Sequence, residues 1–118
     1  MSDDFWYHLE LLLAEDQLVV DRPKGSHHPR YPDVVYPLDY GYLEGTTSAD
    51  GSGIDIWVGS LPFRKLTGIA CTYDTWKRDA EIKLLVGCSE EDIQTILKFH
   101  SVGMKAIFIR KPDKGVMK

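Results

Sequence analysis

The sequence predicts a small, mostly β domain of the α+β class, in which short strands form the core and helices flank it. Short runs of β-prone residues recur along the chain, and most of them are separated by the 10 Gly and 6 Pro residues. Two other segments, one near the N-terminus and one after Ser89, have apolar residues at helical spacing. A hydrophobic content of 43% in 118 residues is enough for one core, so a single domain over residues 1–118 is expected.

The first half of the chain is expected to hold one helix and three extended segments. Asp3 or Asp4 can cap the helix, and Pro23 ends the strand that follows it. The expected elements are a helix at Asp4–Glu15, a strand at Gln17–Asp21, a polar loop at Arg22–Arg30, an extended segment at Tyr31–Tyr36, a loop or hairpin at Leu43–Ala49 and a strand at Ile54–Val58.

The second half is expected to add three strands and a second helix. Ser89 and Asp92 have the spacing of a capping box, and Gly103 is expected to stop that helix. His100 is expected to be a helix-end residue, and Trp76 is expected to cover an open end of the small β-barrel that these strands would form. The expected elements are a turn at Ser60–Lys65, a strand at Thr67–Tyr73, a charged turn at Asp74–Arg78, a strand at Glu81–Cys88, the helix after Ser89 and a strand at Met104–Arg110. Five or six short strands with two helices favour a small OB-like β-barrel with flanking helices.

Composition excludes several classes of protein. The net charge of −4 argues against a general nucleic-acid binder, whose affinity depends on neutralising phosphates. No run approaches the roughly 20 apolar residues that span a bilayer, and the acidic N-terminus is unlike a signal peptide. Cys71 and Cys88 are too few for a disulfide framework, so we expect free thiols and a cytoplasmic location.

The stretch Tyr36–Val58 contains the strongest indication of chemistry. Asp50 precedes Gly51 in a turn pair, and Asp55 alternates with the apolar residues of the strand Ile54–Val58. The turn can bring Asp50 beside Asp55, and two adjacent carboxylates favour a hard divalent cation between them. The alternative is an ordinary hairpin turn followed by an outward-facing strand residue.

The loop Arg22–Arg30 concentrates cationic and imidazole side chains. It is either a solvated connection or a rim that binds anions. We do not expect His27 and His28 to form a metal site, because adjacent residues rarely reach one ion and zinc needs three or four ligands.

The central motifs resemble those of the soluble, metal-dependent (family I type) inorganic pyrophosphatases. The family pattern of Tyr-Pro-x-x-Tyr-Gly-Tyr/Phe followed by Asp-Gly-Asp-Pro-hydrophobic-Asp is matched by residues 36–42 and 50–55. Asp21, the pair Arg30-Tyr31, the segment 68–74 and the strand 81–85 correspond to further family motifs, so the resemblance covers about residues 17 to 88. It implies that this chain is a short, divergent member with the family's OB-type barrel.

The resemblance also implies a role for individual residues. Mg²⁺ would be the cofactor, bound by Asp50, Asp55, Asp74 and Glu81. Arg30, Tyr40, Lys83 and Asp21 would form the catalytic group, with Lys24, Arg30, Tyr40 and Lys83 contacting the substrate. The expected reaction is hydrolysis of inorganic pyrophosphate to two phosphates by metal-activated water.

Several positions depart from the family pattern. Ser52 replaces the middle acid of the Asp-Gly-Asp turn, which in the family helps to take a proton from the attacking water. Gly53 replaces a proline, and Pro32 replaces the acid after the basic-Tyr pair. Glu81 lies two residues farther from Asp74 than the family spacing, so Asp79 is an alternative fourth acid.

Three functions therefore remain open. The first is a pyrophosphatase; the second is a degenerate member that binds metal and phosphate with little turnover, because general-base help is typically worth ~10²–10⁴-fold. The third is an OB-type module for single-stranded nucleic acid, which the acidic charge opposes. For the preferred function the expected partners are the small-molecule substrate and further copies of the chain in a homo-oligomer, with no nucleic acid and no membrane.

Overall fold

The six strands form one sheet, and a separate buried cluster lies on each of its two faces. The computed structural model describes residues 3–48 and 51–113. Its elements are α1 (Asp3–Glu15), β1 (Leu18–Arg22), β2 (Asp39–Leu43), β3 (Ile54–Val58), β4 (Leu66–Asp74), β5 (Asp79–Val86), α2 (Glu90–His100) and β6 (Met104–Arg110). A six-stranded sheet with two helices confirms the predicted mostly β, α+β class.

The strand order is β1-β2-β3-β5-β4-β6. Neighbouring strands are antiparallel except β3 and β5, which run parallel. β1 forms one edge and β6 the other, and within the described residues these two strands are not paired. The sheet is therefore not closed, and the barrel that the sequence suggested is not confirmed.

Each helix covers a different face of the sheet. The residues of strand β3 show which cluster lies on which face, because successive side chains of a strand point to opposite faces of the sheet. Ile56 and Val58 belong to the buried cluster against which α1 packs its leucines. Trp57 belongs to the other cluster, which Ile93 and Ile96 of α2 complete. Asp55 shares the face of Trp57, so its carboxylate lies on the α2 side of the sheet.

Most helices and strands lie within a few residues of the positions predicted from local sequence signals. The predicted strands Ile54–Val58 and Met104–Arg110 have the observed bounds. The capping box of α2 is also confirmed: the amide of Asp92 donates to Ser89 Oγ at 3.1 Å, and the amide of Ser89 donates to Asp92 Oδ2 at 2.9 Å. The strands β1, β4 and β5 each begin and end within a few residues of the prediction.

Strand β2 was not predicted, because Gly41 and Pro37 weaken the strand signal of its stretch. A Cβ atom at Gly41 would lie 1.9 Å from the carbonyl oxygen of Val19, so the close approach of β1 requires glycine there. The expected role of Trp76 is wrong: its side chain is 89% exposed in the turn between β4 and β5 and covers nothing in the described structure.

Both cysteines are free, with Cys88 buried and Cys71 half-buried. Burial raises the pKa of the Cys88 thiol to about 12, so this group stays protonated and unreactive at neutral pH. Neither described helix is long and apolar enough to cross a membrane.

Candidate functional site

A broad groove of about 1500 Å³ lies on the α2 side of the sheet. It brings together residues that are far apart in the chain, because strands β2, β3, β4 and β5 all contribute side chains to this face. The predicted site residues that line it are Asp21, Arg30, Tyr40, Asp55, Asp74, Glu81 and Lys83. Lys24 does not line it; its backbone amide donates to Asp39 Oδ1 at 2.8 Å. Asp50 lies outside the described residues.

Strand pairing explains why the central residues converge. Tyr42 is the cross-strand neighbour of Asp55, and Tyr40 is the neighbour of Trp57, so these side chains share one face. The parallel pairing of β3 with β5 brings Lys83 to the same face, next to Asp55.

The centre of the groove is the ammonium group of Lys83. Its Nζ atom donates to Asp55 Oδ2 at 2.9 Å, to Tyr40 Oη at 3.0 Å and to Glu81 Oε1 at 3.2 Å. The Lys83 side chain is only 7% exposed, so this cation is held almost out of water. Its three acceptors satisfy the donors that burial would otherwise leave unpaired.

Protonation states at this centre follow from burial and pairing. Burial alone lowers the pKa of Lys83, but the Tyr40 hydroxyl and the Asp55 carboxylate outweigh it and raise that pKa above its usual value. Burial raises the pKa of Tyr40 far above its usual value, although Lys83 acts in the opposite direction. At neutral pH the centre therefore holds a charged ammonium and a neutral phenol.

The predicted acids occupy two positions in the groove. Asp55 and Glu81 share the ammonium of Lys83. Asp74 lies at the end of β4 opposite Asp79, and its Oδ1 accepts the amides of Trp76 and Lys77 at 2.9 and 3.0 Å. The hydrogen bond from the Lys77 amide is the main reason why the pKa of Asp74 lies below its usual value.

Asp79 and Glu81, the two alternatives for the fourth acid, both line the groove, and of these two Glu81 contacts Lys83. Carboxylates of this kind are the oxygen ligands that Mg²⁺ prefers. Within residues 3–48 and 51–113, however, no three His, Cys, Asp or Glu side chains converge to hold one ion. The carboxylate oxygens are therefore of the kind that fits magnesium, but in the described structure Asp55 and Glu81 are gathered around Lys83 in a lysine-centred cluster.

Cations from the Arg22–Arg30 loop form the outer rim of the groove. The Arg22 Nη1 atom donates to Tyr36 Oη at 2.7 Å, and its guanidinium lies 5.6 Å from the centre of that ring. Asp21 lies at an irregularity of β1, where the pairing with β2 shifts between Val20 and Arg22. Arg22 was not predicted from the sequence as a site residue, although it is adjacent to the predicted Asp21.

His28 is a second residue of the groove that was not predicted from the sequence. Its Nδ1 atom accepts the amides of Arg30 and Tyr31 at 3.0 and 3.3 Å, which leaves the proton on Nε2. Partial burial, followed by the charges of Arg22 and Arg30, lowers its pKa. No spacing rule in the sequence signals this position, because the loop fold brings it to the groove.

His100 closes the α2 end of the groove. It is the last residue of α2, as expected, and its Nε2 atom accepts the indole N–H of Trp57 at 3.0 Å. Burial is the main reason, with the charge of Lys83 second, why its pKa falls to about 3. The ring is therefore neutral at physiological pH, with its proton on Nδ1.

Comparison with known proteins adds no family assignment. No protein-family model matches the chain, and no curated protein shows significant sequence similarity to it.

Proposed function

We propose that this chain is a Mg²⁺-dependent hydrolase that converts inorganic pyrophosphate to two phosphates. The observation that carries the proposal is the cluster of Lys83, Tyr40, Asp55 and Glu81 in a groove that Arg22 and Arg30 also line. Pyrophosphate complexed with magnesium needs cations for its oxygens and carboxylates for the metal, and this groove offers both.

Each group has a chemical task in this proposal. Lys83 and Arg30 bind phosphoryl oxygens and share their negative charge, and the neutral Tyr40 hydroxyl donates to another oxygen. Asp55 and Glu81, with Asp74 nearby, would hold Mg²⁺. When bound, the metal supplies a water molecule acidified enough to attack phosphorus. If the anion and the metal bind together, Asp55 and Glu81 would turn to the metal, and Lys83 and Tyr40 would contact the anion.

A second candidate is a protein that binds metal and phosphate with little turnover. Ser52 lines the groove at the position where the resemblance expects an acid, and a hydroxyl is a poor proton acceptor at neutral pH. A nucleic-acid module is less favoured, because carboxylates outnumber lysines and arginines along the groove.

The proposal includes a cytoplasmic location. Two free thiols, one of them buried, are typical of proteins in a reducing compartment.

Phosphate release from pyrophosphate tests the proposal. The wild type is assayed with Mg²⁺ and with excess chelator, beside Ser52→Asp. We expect weak, chelator-sensitive release from the wild type and an increase of about 100-fold in Ser52→Asp, because the variant regains a general base. Gln94→Glu is the matched control: it adds the same charge at an exposed position of α2, and its rate should equal that of the wild type.

The outcomes separate the two candidates. Release from the wild type that chelator abolishes supports the hydrolase. Mg²⁺-dependent pyrophosphate binding in calorimetry, without release from either protein, supports the binding protein. Neither binding nor release in the wild type and Ser52→Asp would overturn both.

A further inference from the structure

The groove has a second half that inorganic pyrophosphate would leave empty. Beside the lysine-centred cluster, its wall is formed by aromatic and aliphatic side chains, among them Tyr31, Tyr36, Val35, Phe99 and Val102. The volume of about 1500 Å³ exceeds the roughly 300–1000 Å³ that is typical of small-molecule sites. An anion of two phosphates neither fills that space nor uses an apolar wall.

The aromatic side chains form a continuous series from the surface to Lys83. The ring centres of Tyr31 and His28 are 5.1 Å apart, and His28 lies 6.3 Å from Tyr36 with the two rings 9° from parallel. Tyr36 lies 5.4 Å from Tyr40, whose hydroxyl accepts from Lys83. The lysine-centred cluster is thus joined to the surface by a series of neighbouring rings.

Two exposed features at the outer end are suited to a ligand. Tyr31 is 58% exposed, so its aromatic ring is accessible to a stacking partner. Arg22 and Arg30 line the groove beside the rings, and their charges both act on His28. Cations next to open ring faces complement a molecule that carries negative charge beside a planar group.

We propose that the substrate of this site is an organic diphosphate with a planar ring, such as a nucleoside diphosphate, whose base stacks on Tyr31 while its phosphates reach Arg30 and Lys83. This inference rests on the proposed function, since it assigns a substrate class to the same hydrolytic site. An aliphatic diphosphate is disfavoured because the outer end presents ring faces and guanidinium groups.

The reaction on this substrate is a hydrolysis. The oxygen of water bonds to the terminal phosphorus, and the bond from that phosphorus to the bridging oxygen breaks. The electron pair stays on the bridging oxygen, which leaves with the nucleoside monophosphate. The terminal group becomes inorganic phosphate, and one proton passes to solvent.

Calorimetry with four probes in the presence of Mg²⁺ tests the substrate class. The probes are pyrophosphate, methyl diphosphate, adenosine diphosphate and dimethylallyl diphosphate. We expect adenosine diphosphate to bind about tenfold more tightly than methyl diphosphate, because stacking of one base on an aromatic side chain is worth a factor of roughly 5 to 150. Tyr31→Ala should remove the difference and leave methyl diphosphate binding unchanged.

Trp76→Ala is the matched control, because Trp76 is an even more exposed aromatic that does not line the groove. It should bind all four probes as the wild type does. The folding of Tyr31→Ala is not at risk, since the His28 ring accepts the backbone amide of residue 31 whatever its side chain.

Contrary outcomes are distinguishable. If pyrophosphate binds while adenosine diphosphate shows no advantage over methyl diphosphate, the substrate class is overturned and the proposed function stands. If dimethylallyl diphosphate binds most tightly, the planar-ring assignment is overturned. If no diphosphate binds, both the proposed function and this inference are overturned.

Discussion

Lys83 shows how a single side chain acquires a role from its surroundings. Its ammonium lies within hydrogen-bonding distance of two carboxylates and a phenol, and the side chain is 7% exposed. A lysine on a surface strand would gain little from such contacts, because water screens exposed ion pairs. Here burial makes each contact strong, and under the proposed function the same cation would meet an anionic substrate.

His100 gives a prediction of pH dependence at the residue scale. Its pKa is lowered to about 3 in the folded chain, chiefly by burial, whereas the unfolded value is about 6.5. Between these values the unfolded chain binds the extra proton, so His100 contributes fully above about pH 6.5 and its contribution is lost as the pH falls. We expect the unfolding free energy to drop by about 1.4 kcal/mol per pH unit from pH 6 to pH 4.

Urea unfolding at several pH values measures this dependence. In His100→Gln the side-chain oxygen can still accept the Trp57 indole N–H, but the residue cannot titrate. The variant should therefore lose this part of the slope. An unchanged slope would mean that His100 is not the group responsible.

At the element scale, Asp92 joins α2 to the loop after β3. Its Oδ2 atom accepts from the amide and the hydroxyl of Ser60 and from the amide of Ser89, at 2.8 to 2.9 Å. Burial raises the pKa of Asp92, but these hydrogen bonds outweigh burial and hold the pKa below its usual value. The carboxylate therefore stabilises both the helix start and the loop that precedes β4.

Replacing Asp92 by Ala should destabilise the fold by about 2 kcal/mol, because a cap is lost and buried donors are left unpaired. Urea unfolding would measure this change. The neighbouring Glu91→Ala is the control: Glu91 is exposed, and its substitution should change the unfolding free energy by less than about 0.5 kcal/mol. Equal effects of the two substitutions would contradict the assigned role.

The elements also show which features the sequence could predict. Strand β6 and the start of α2 depend on local signals, namely alternation and a capping box, so their prediction was accurate. Strand β2 depends on a distant contact, because Gly41 is required by the carbonyl oxygen of Val19. Asp55, Glu81 and Lys83 were predictable from motif and alternation, whereas His28 reaches the groove through the path of a loop that no local rule describes.

At the scale of the whole molecule, β6 is an edge strand of the sheet that the described residues form. Its Ile107 and Ile109 side chains are 61% and 42% exposed, and edge strands of this kind pair readily with another chain. If two β6 strands pair antiparallel about Ile107, each Lys105 lies opposite an Ile109, so no like charges face each other. We expect the homo-oligomer to form through this pairing of two β6 strands.

Sedimentation of the wild type and of Ile107→Lys tests that expectation. The wild type should have the mass of a dimer or larger assembly, and Ile107→Lys should be monomeric because two lysines would face each other across the interface. Val102→Lys, at an exposed turn, should sediment as the wild type does. A monomeric wild type would contradict the expectation.

The parallel contact between β3 and β5 has a wider consequence. It is the seam between two groups of three antiparallel strands, β1-β2-β3 and β5-β4-β6. Tyr40 and Asp55 belong to the first group, while Glu81 and Lys83 belong to the second. The hydrogen bonds from Lys83 to Tyr40 and Asp55 therefore cross the seam, and neither group of strands forms the lysine-centred cluster alone. Any partial opening along this line would disassemble that cluster while leaving most of each group intact.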